Sequence, residues 1–314
     1  MRRNWQKTHL LHHHRKNHLN ESRISFMNAK TLLYQITETS KFMMGFVLVT
    51  KDNNVIVIDG GRAEDMPLLK EYIGGRHISA WILTHAHNDH ISGLISECKR
   101  NRLADFDVER ICYNFPPYHL LKGKSDVPDE AYFNRELDEM LPEFLEIEPL
   151  LCEKAVKVTQ GDSIKVDECK IDFIFSYHDG LYSNLMNDSS LVFSITTPNK
   201  KVLFLSDLGP EGGDVLFEES RHLLKSDIVQ MAHHGHMNVG MEVYAAIMPE
   251  ACLWCCPDWL YDEPEIPPYL ADRERLRRMH RQRMYGTALT RKWMEALGVK
   301  THYVTKDGTN IIEL

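Results

Sequence analysis

From Ile78 the chain reads ISAWILTHAHNDHISG: an apolar run of strand length and then, within six residues, His85, His87, Asp89 and His90. This stretch limits the fold more than any other. A short apolar run bounded by turn residues is the pattern of a buried strand. Three imidazoles and a carboxylate in the turn behind it gain little in a solvated loop, and a dry core would have to find a partner for each. A metal ion satisfies them together. His85 and His87 are two apart, so in extended chain they point the same way. Asp89 and His90 fall in the turn into the next helix and face a second position beside the first. Imidazole and carboxylate together suit zinc, manganese or iron.

Other strands end in the same manner. VIVID closes on Asp59, CKIDFIFSYH on His178 with Asn187 beyond it, KKVLFLSD on Asp207, and DIVQMAHH on His233 and His234. Ligands on loops at strand ends can converge on one edge of a sheet while the strands stay rigid. Two neighbouring ions need a bridging oxygen, for which Asp207 is the natural candidate. Strand runs come in two sets, each followed by helices, which predicts two sheets with helices outside. Residues 128–155 are acidic and amphipathic and read as one or two inserted helices, with Pro142 marking a break. KTHYVTKDGTNIIEL reads as a final hairpin.

The chain has 314 residues, 43% of them hydrophobic, enough for a large core in one or two domains. Net charge is -8; residues 1–26 hold six cations against Glu21, so +5 lies there and -13 in residues 27–314. An acidic body argues against a broad electrostatic grip on nucleic acid. Residues 1–26 are basic and His-rich without an apolar stretch of signal-peptide length, and are expected to be a disordered tail ahead of a domain at 27–314. No run of 18 apolar residues occurs, so no membrane span is expected. Seven cysteines without framework spacing point to a reducing, cytoplasmic compartment. Cys252, Cys255 and Cys256 lack a second pair at zinc-ribbon spacing and read as small apolar thiols filling a strand end. His119, His222, His236, His280 and His302 read as surface groups, and the arginines from Arg273 to Arg283 as a solvated helix.

These motifs resemble those of the metallo-β-lactamase superfamily. His85-Ala-His87-Asn-Asp89-His90 matches its H-x-H-x-D-H motif, Asp59 in VIVIDGG the acidic residue ending an early strand, Asp207 in VLFLSDLG the later bridging aspartate, and HHG at 233–235 the final histidine. The resemblance covers about residues 30–310. It implies an α/β fold, a four-layer αββα sandwich with a dinuclear site along one edge. Two divalent ions, zinc or manganese, are then expected on His85, His87, Asp89, His90, Asp207 and His234, with Asp59 orienting the histidine loop. Between His233 and His234 the choice stays open, with His234 preferred as ligand and His233 facing substrate. Most members carry a further histidine in a middle motif. Here LMNDSSLVF puts Asn187 or Asp188 at that place, and His178 is another candidate for third ligand of the first metal.

Within the superfamily, NDSSLVFSI, KKVLFLSDLG and LKSDIVQMAHHG are similar to the hydrolase domain of bacterial DNA-uptake (competence) proteins and to phosphorylcholine esterases. The implied activity is hydrolysis by hydroxide of a dinuclear site, with a small-molecule or nucleic-acid phosphodiester as substrate and Asp89 and His233 as catalytic groups. The alternatives are carbonyl hydrolysis of a lactam, lactone or thioester on the same scaffold, and a metal-binding protein without turnover.

Overall fold

The computed structural model describes residues 30–39, 41, 43–122, 131–181, 184–264 and 286–314, with backbone alone at 122 and 131–139. The expected tail at 1–26 and the arginine-rich stretch from Arg273 to Arg283 lie outside the described residues. Among the described residues the strands form two seven-stranded sheets. The first holds β1 (Leu32–Gln35), β2 (Gly45–Val49), β3 (Val55–Asp59), β4 (Ile78–Ile82), β5 (Ile111–Tyr113) and β6 (Ala155–Lys157), with β14 (Asn310–Glu313) beside β1. The second holds β7 (Ser163–Val166), β8 (Cys169–Phe175), β9 (Val192–Thr196), β10 (Lys201–Phe204), β11 (Ile228–Gln230), β12 (Ala251–Trp254) and β13 (Thr301–Val304) in sequence order.

One plan is used twice. β1 to β3 pair antiparallel and β3 to β6 parallel; β7 to β10 pair antiparallel and β10 to β13 parallel. Parallel neighbours need crossovers, and helices supply them. These are α1 (Met66–Ile73), α2 (Asn88–Lys99), α3 (Tyr118–Lys122) and α4 (Ala131–Leu151) in the first half. A short α5 (Leu185–Asp188) precedes β9, and α6 (Pro210–Ser220), α7 (Met241–Ile247), α8 (Asp258–Tyr261) and α9 (Thr287–Ala296) serve the second half. In each half an aspartate stands at or just past the end of the last antiparallel strand, Asp59 closing β3 and Asp207 three residues beyond β10, and the next strand is followed by histidines.

Strand alternation divides the apolar side chains between layers. Phe46, Leu48, Ile56, Ile58 and Ile82 of the first sheet pack with Phe173, Phe193, Val202, Phe204 and Leu253 of the second. Phe46 meets Phe204 edge-on at 5.2 Å. The residues between them, such as Val47, Val57, Trp81, Val229 and Trp254, face helices and share a cluster with Leu69, Leu94, Phe144, Leu216 and Tyr244. Both faces of both sheets are thus covered, the expected αββα sandwich. No helix among the described residues is long and apolar enough to cross a membrane.

Two expectations are corrected. Pro142 does not break the inserted segment: α4 runs through Pro142 and Pro149 as one helix. Each proline removes a helix hydrogen bond. Packing outweighs that, because Met140, Leu141, Phe144, Ile147 and Leu151 are all buried and Phe144 packs edge-on against Phe115. The final segment is not a hairpin either. β13 joins β12 in parallel, whereas β14 joins β1 antiparallel in the other sheet. The connection steps between sheets and is pinned there by Thr37, whose N–H donates to Thr309 Oγ1 at 3.1 Å and whose hydroxyl donates to the Thr305 carbonyl at 2.9 Å.

The cysteines fill the core as expected. Cys252 and Cys256 face the helices while Cys255 faces the opposite sheet. Of the seven free thiols only Cys152 is exposed. Burial pushes the Cys252 thiol up to about 12 and also raises Cys255 and Cys256. A thiol reagent is therefore expected to titrate one cysteine quickly in the native protein and the remaining six only on unfolding; several fast-reacting thiols would show that the core opens readily.

Candidate metal centre

The C-terminal ends of β3 and β4 meet those of β10 and β11, and the residues they deliver form one buried cluster around Asp207. Its Oδ2 lies 3.3 Å from His90 Nε2, 3.5 Å from His234 Nε2, 3.6 Å from His233 Nε2 and 3.8 Å from His85 Nε2. His85 Nε2 is 2.9 Å from His87 Nδ1, and His234 Nε2 is 3.1 Å from Asp89 Oδ2. Two sets of ligand-type atoms each gather within 4.8 Å: His85, His90 and Asp207, and Asp89, His90 and His234. Asp89 lies in the first turn of α2, where the helix dipole favours its charge.

The backbone around these groups is held in unusual conformations. Asp59, Ser206, His233 and His234 all have positive φ, between 48° and 57°. Such positions cost of order 1–3 kcal/mol each and persist only when the surroundings fix them. Gln230, wholly buried in β11, does so for Ser206: its Oε1 accepts the Ser206 N–H at 2.6 Å and its Nε2 donates to the Ser206 carbonyl at 3.1 Å. The Ser206 carbonyl in turn accepts the His233 N–H at 2.9 Å. Gly235 continues the left-handed turn at φ 90°, where a Cβ would lie 2.5 Å from the Trp254 ring.

Hydrogen bonds on the far side of each imidazole set which nitrogen faces inward. The Asp59 carboxylate accepts from Thr84 N and Thr84 Oγ1 at 2.8 Å each and from His90 Nδ1 at 2.7 Å. As a neutral imidazole His90 therefore carries its proton on Nδ1 and presents Nε2 without one. Thr84 Oγ1, its proton directed to Asp59, accepts from His85 Nδ1 at 3.2 Å and turns His85 Nε2 inward. His234 Nδ1 donates to the Cys255 carbonyl at 2.7 Å, leaving its Nε2 toward Asp89 and Asp207. In their neutral forms these three imidazoles direct their Nε2 lone pairs at two carboxylates.

The electrostatics divide the histidines into two pairs. Burial lowers His85 well below the ordinary imidazole range, helped by His90 and His87, and burial lowers His87 to about 4 against the pull of Asp89 and Asp207. Both are neutral near pH 7. Burial opposes charge on Asp89 and Asp207, yet His90 and His234 outweigh it and hold both carboxyls low. Burial likewise lowers His90 and His234, but Asp207 outweighs it and raises both, so that without a cation each tends to hold a proton that a metal ion would displace. Neither Asp207 Oδ1 nor His90 Nε2 has a hydrogen-bond partner among the described residues. Buried polar atoms left bare at the meeting point of carboxylates and imidazoles fit divalent ions.

The remaining candidates are placed differently. β8 is separated from β10 by β9, and His178 beyond it contacts the Asp179 carbonyl and the Phe175 ring, outside both sets of ligand atoms. Asn187 is buried in α5 with no partner for its Oδ1 among the described residues. Its segment runs beside the histidine loop: Leu191 N–H donates to the Thr84 carbonyl at 3.0 Å, and Met186 Sδ lies 3.3 Å from Ala86 N. Asp188 uses both carboxylate oxygens on backbone, accepting from Asn184 N at 3.0 Å and Gly212 N at 2.9 Å. Gly212 permits that approach, since a Cβ there would lie 2.4 Å from the Asp188 carbonyl oxygen. His119 and His222 are exposed as expected. His236 is not: it is 3% exposed, with its ring 4.3 Å from that of His233. His302 is partly buried and accepts from Trp254 Nε1 at 3.0 Å.

Thr84, Gln230 and Asn238 were not singled out from sequence. Two of them carry a signal that could have found them: Gln230 is a polar residue inside an apolar strand run, and Thr84 stands directly ahead of the histidine motif.

The sequence profile of the Metallo-beta-lactamase superfamily matches residues 46–241, and the chain belongs to that superfamily. No curated protein matches the chain. Among solved structures it is similar to the metallo-beta-lactamase fold protein YhfI from Bacillus subtilis, with TM-score 0.51 and 12% identity over 90% of this chain and 99% of that one. It is also similar to CmlA, a diiron beta-hydroxylase from Streptomyces venezuelae, with TM-score 0.51 and 11% identity over 91% of this chain and 54% of that one. Identities this low speak for the shared fold.

Proposed function

We propose that the chain is a metal-dependent hydrolase that holds two divalent ions, zinc or manganese, and cleaves a phosphodiester. His85, His87 and Asp207 would hold one ion, and Asp89, His90, His234 and Asp207 the other. The observation that carries this reading is the outward hydrogen bonding of the buried imidazoles through Nδ1, which turns the Nε2 atoms of His85, His90 and His234 toward Asp207. Bound there, such ions supply a nucleophile from water near neutral pH and offset the charge of the transition state. The protein's own groups do the rest. Asp207 and Asp89 stay ionised, and the buried walls exclude competing solvent. His233 alone among the four histidines around Asp207 keeps appreciable exposure, 14%, and is placed to meet a substrate oxygen.

The phosphodiester preference is supported by the motifs similar to competence and phosphorylcholine esterase domains. It is also supported by Asn187, which stands where most members have an imidazole and so leaves the first ion with a weaker set of ligands. Residues 27–314 would form the hydrolase domain, with 1–26 dispensable for turnover, in the cytoplasm.

Stepwise chelation with elemental analysis is expected to show close to two ions per chain, one lost before the other. With manganese or zinc restored, kcat/KM for bis-p-nitrophenyl phosphate or a choline phosphodiester should exceed that for a chromogenic cephalosporin by a wide margin. Efficient cephalosporin turnover without phosphodiester cleavage would replace this reading with carbonyl hydrolysis. Two ions without any turnover would point to a non-catalytic metal protein.

A further inference from the structure

His85, His90 and His234 bond outward through Nδ1 and turn Nε2 toward Asp207; the hydrogen bonding of His233 runs the other way. His233 Nδ1 lies 2.7 Å from Asn238 Nδ2. The same amide nitrogen lies 3.5 Å from the Asp207 carbonyl oxygen and 3.4 Å from the Leu208 carbonyl oxygen. Carbonyl oxygens only accept, so the NH2 end of the amide belongs there; the reverse orientation would set three oxygens against one another. An amide nitrogen so placed donates to His233 Nδ1, and a neutral imidazole that accepts at one nitrogen carries its proton on the other. His233 Nε2, 3.6 Å from Asp207 Oδ2, is then an N–H group.

The geometry points to Asn238 as a positioning residue that fixes the tautomer of His233, making it a hydrogen-bond donor toward the reacting groups and unfit as a metal ligand through Nε2. The surroundings hold both partners. Asn238 is 7% exposed, and its N–H donates to the His236 carbonyl at 2.9 Å. The His233 backbone is tied to Ser206 and sits at φ 48°. His233 and His234, adjacent in sequence, thus take opposite roles because Asn238 donates to one and the Cys255 carbonyl accepts from the other. The role of His233 toward substrate rests on the hydrolase reading; the tautomer does not.

The test uses the full chain, zinc-loaded and 15N-labelled at histidine, with His233 resonances identified by their loss in His233→Gln. Long-range 1H–15N correlation is expected to show the Nε2–H pattern for His233 in the wild type. Asn238→Asp replaces the donor by a carboxylate that only accepts and should convert the pattern to Nδ1–H, while Asn238→Ala should give a mixture. With zinc content and KM near wild type, kcat on bis-p-nitrophenyl phosphate should fall roughly 10²-fold in Asn238→Asp, the loss typical of removing one aimed donor. An Nδ1–H pattern in the wild type overturns the proposal, as does a pattern unchanged in both variants. A wild type that shows Nε2–H yet cleaves no phosphodiester upholds the assignment of Asn238 and overturns the hydrolase reading instead.

Discussion

Asp207→Ala is expected to lower kcat/KM for phosphodiester hydrolysis by roughly 10³-fold or more, because the charge stabilisation at stake is worth several kcal/mol and each 1.36 kcal/mol is a factor of ten. Asp207 Oδ2 lies within 3.8 Å of four imidazoles, two from each sheet. No other carboxylate in the cluster reaches both ligand sets so evenly. At least one ion should be lost on substitution, and elemental analysis reads that directly. The fold should survive, since the intersheet core of Phe46, Phe193 and Phe204 does not depend on Asp207. Circular dichroism near that of the wild type is therefore expected. Two retained ions with undiminished activity would show that Asp207 is not the bridge.

The second large effect is expected at a residue outside both sets of ligand-type atoms. Asp59 accepts three hydrogen bonds within a fully buried site. In Asp59→Asn the amide oxygen can still accept the Thr84 N–H, but the NH2 group then faces His90 Nδ1. His90 is driven to carry its proton on Nε2, the nitrogen that should bind. Metal affinity is expected to fall about 10- to 100-fold, as when an orienting partner of a ligand is removed. Asp59→Ala should add a stability loss, because it leaves buried N–H and O–H groups without an acceptor, at about 1–3 kcal/mol for each such group. Chelator competition separates the effects: Asp59→Asn should bind weakly with a near-native melting temperature, Asp59→Ala weakly with a lowered one. Unchanged affinity in Asp59→Asn would mean that something other than Asp59 orients His90.

Much of this centre is legible in the chain. The H-x-H-x-D-H stretch, Asp59 and Asp207 each close an apolar run, so strand periodicity alone delivers them to one edge. The orienting groups are harder to read. Cys255 acts through its backbone carbonyl, which no side-chain pattern reveals. Asn238 lies five residues past His233 in a turn, where asparagine is common for other reasons. His178 and Asn187 look equivalent as strand-end groups until strand order sets β8 one strand away from β10 and brings the start of β9 against Thr84. Pro142 failed as a helix stop because burial of Phe144 and Ile147 decides the matter, and the last two strands failed as a hairpin because their buried residues face different layers.

The placement of β14 beside β1 has a consequence for how the molecule is made. Lys30 and Glu313 at that seam are 283 positions apart in sequence. Contacts this remote form late, since the entropy of closing a long loop must be met before they reward it. On a ribosome the first sheet can zip from β1 to β6 early, yet its outer strand waits until residues 310–313 emerge. Throughout synthesis of the second sheet, β1 therefore presents an open row of backbone donors and acceptors, the template on which nascent chains pair with one another.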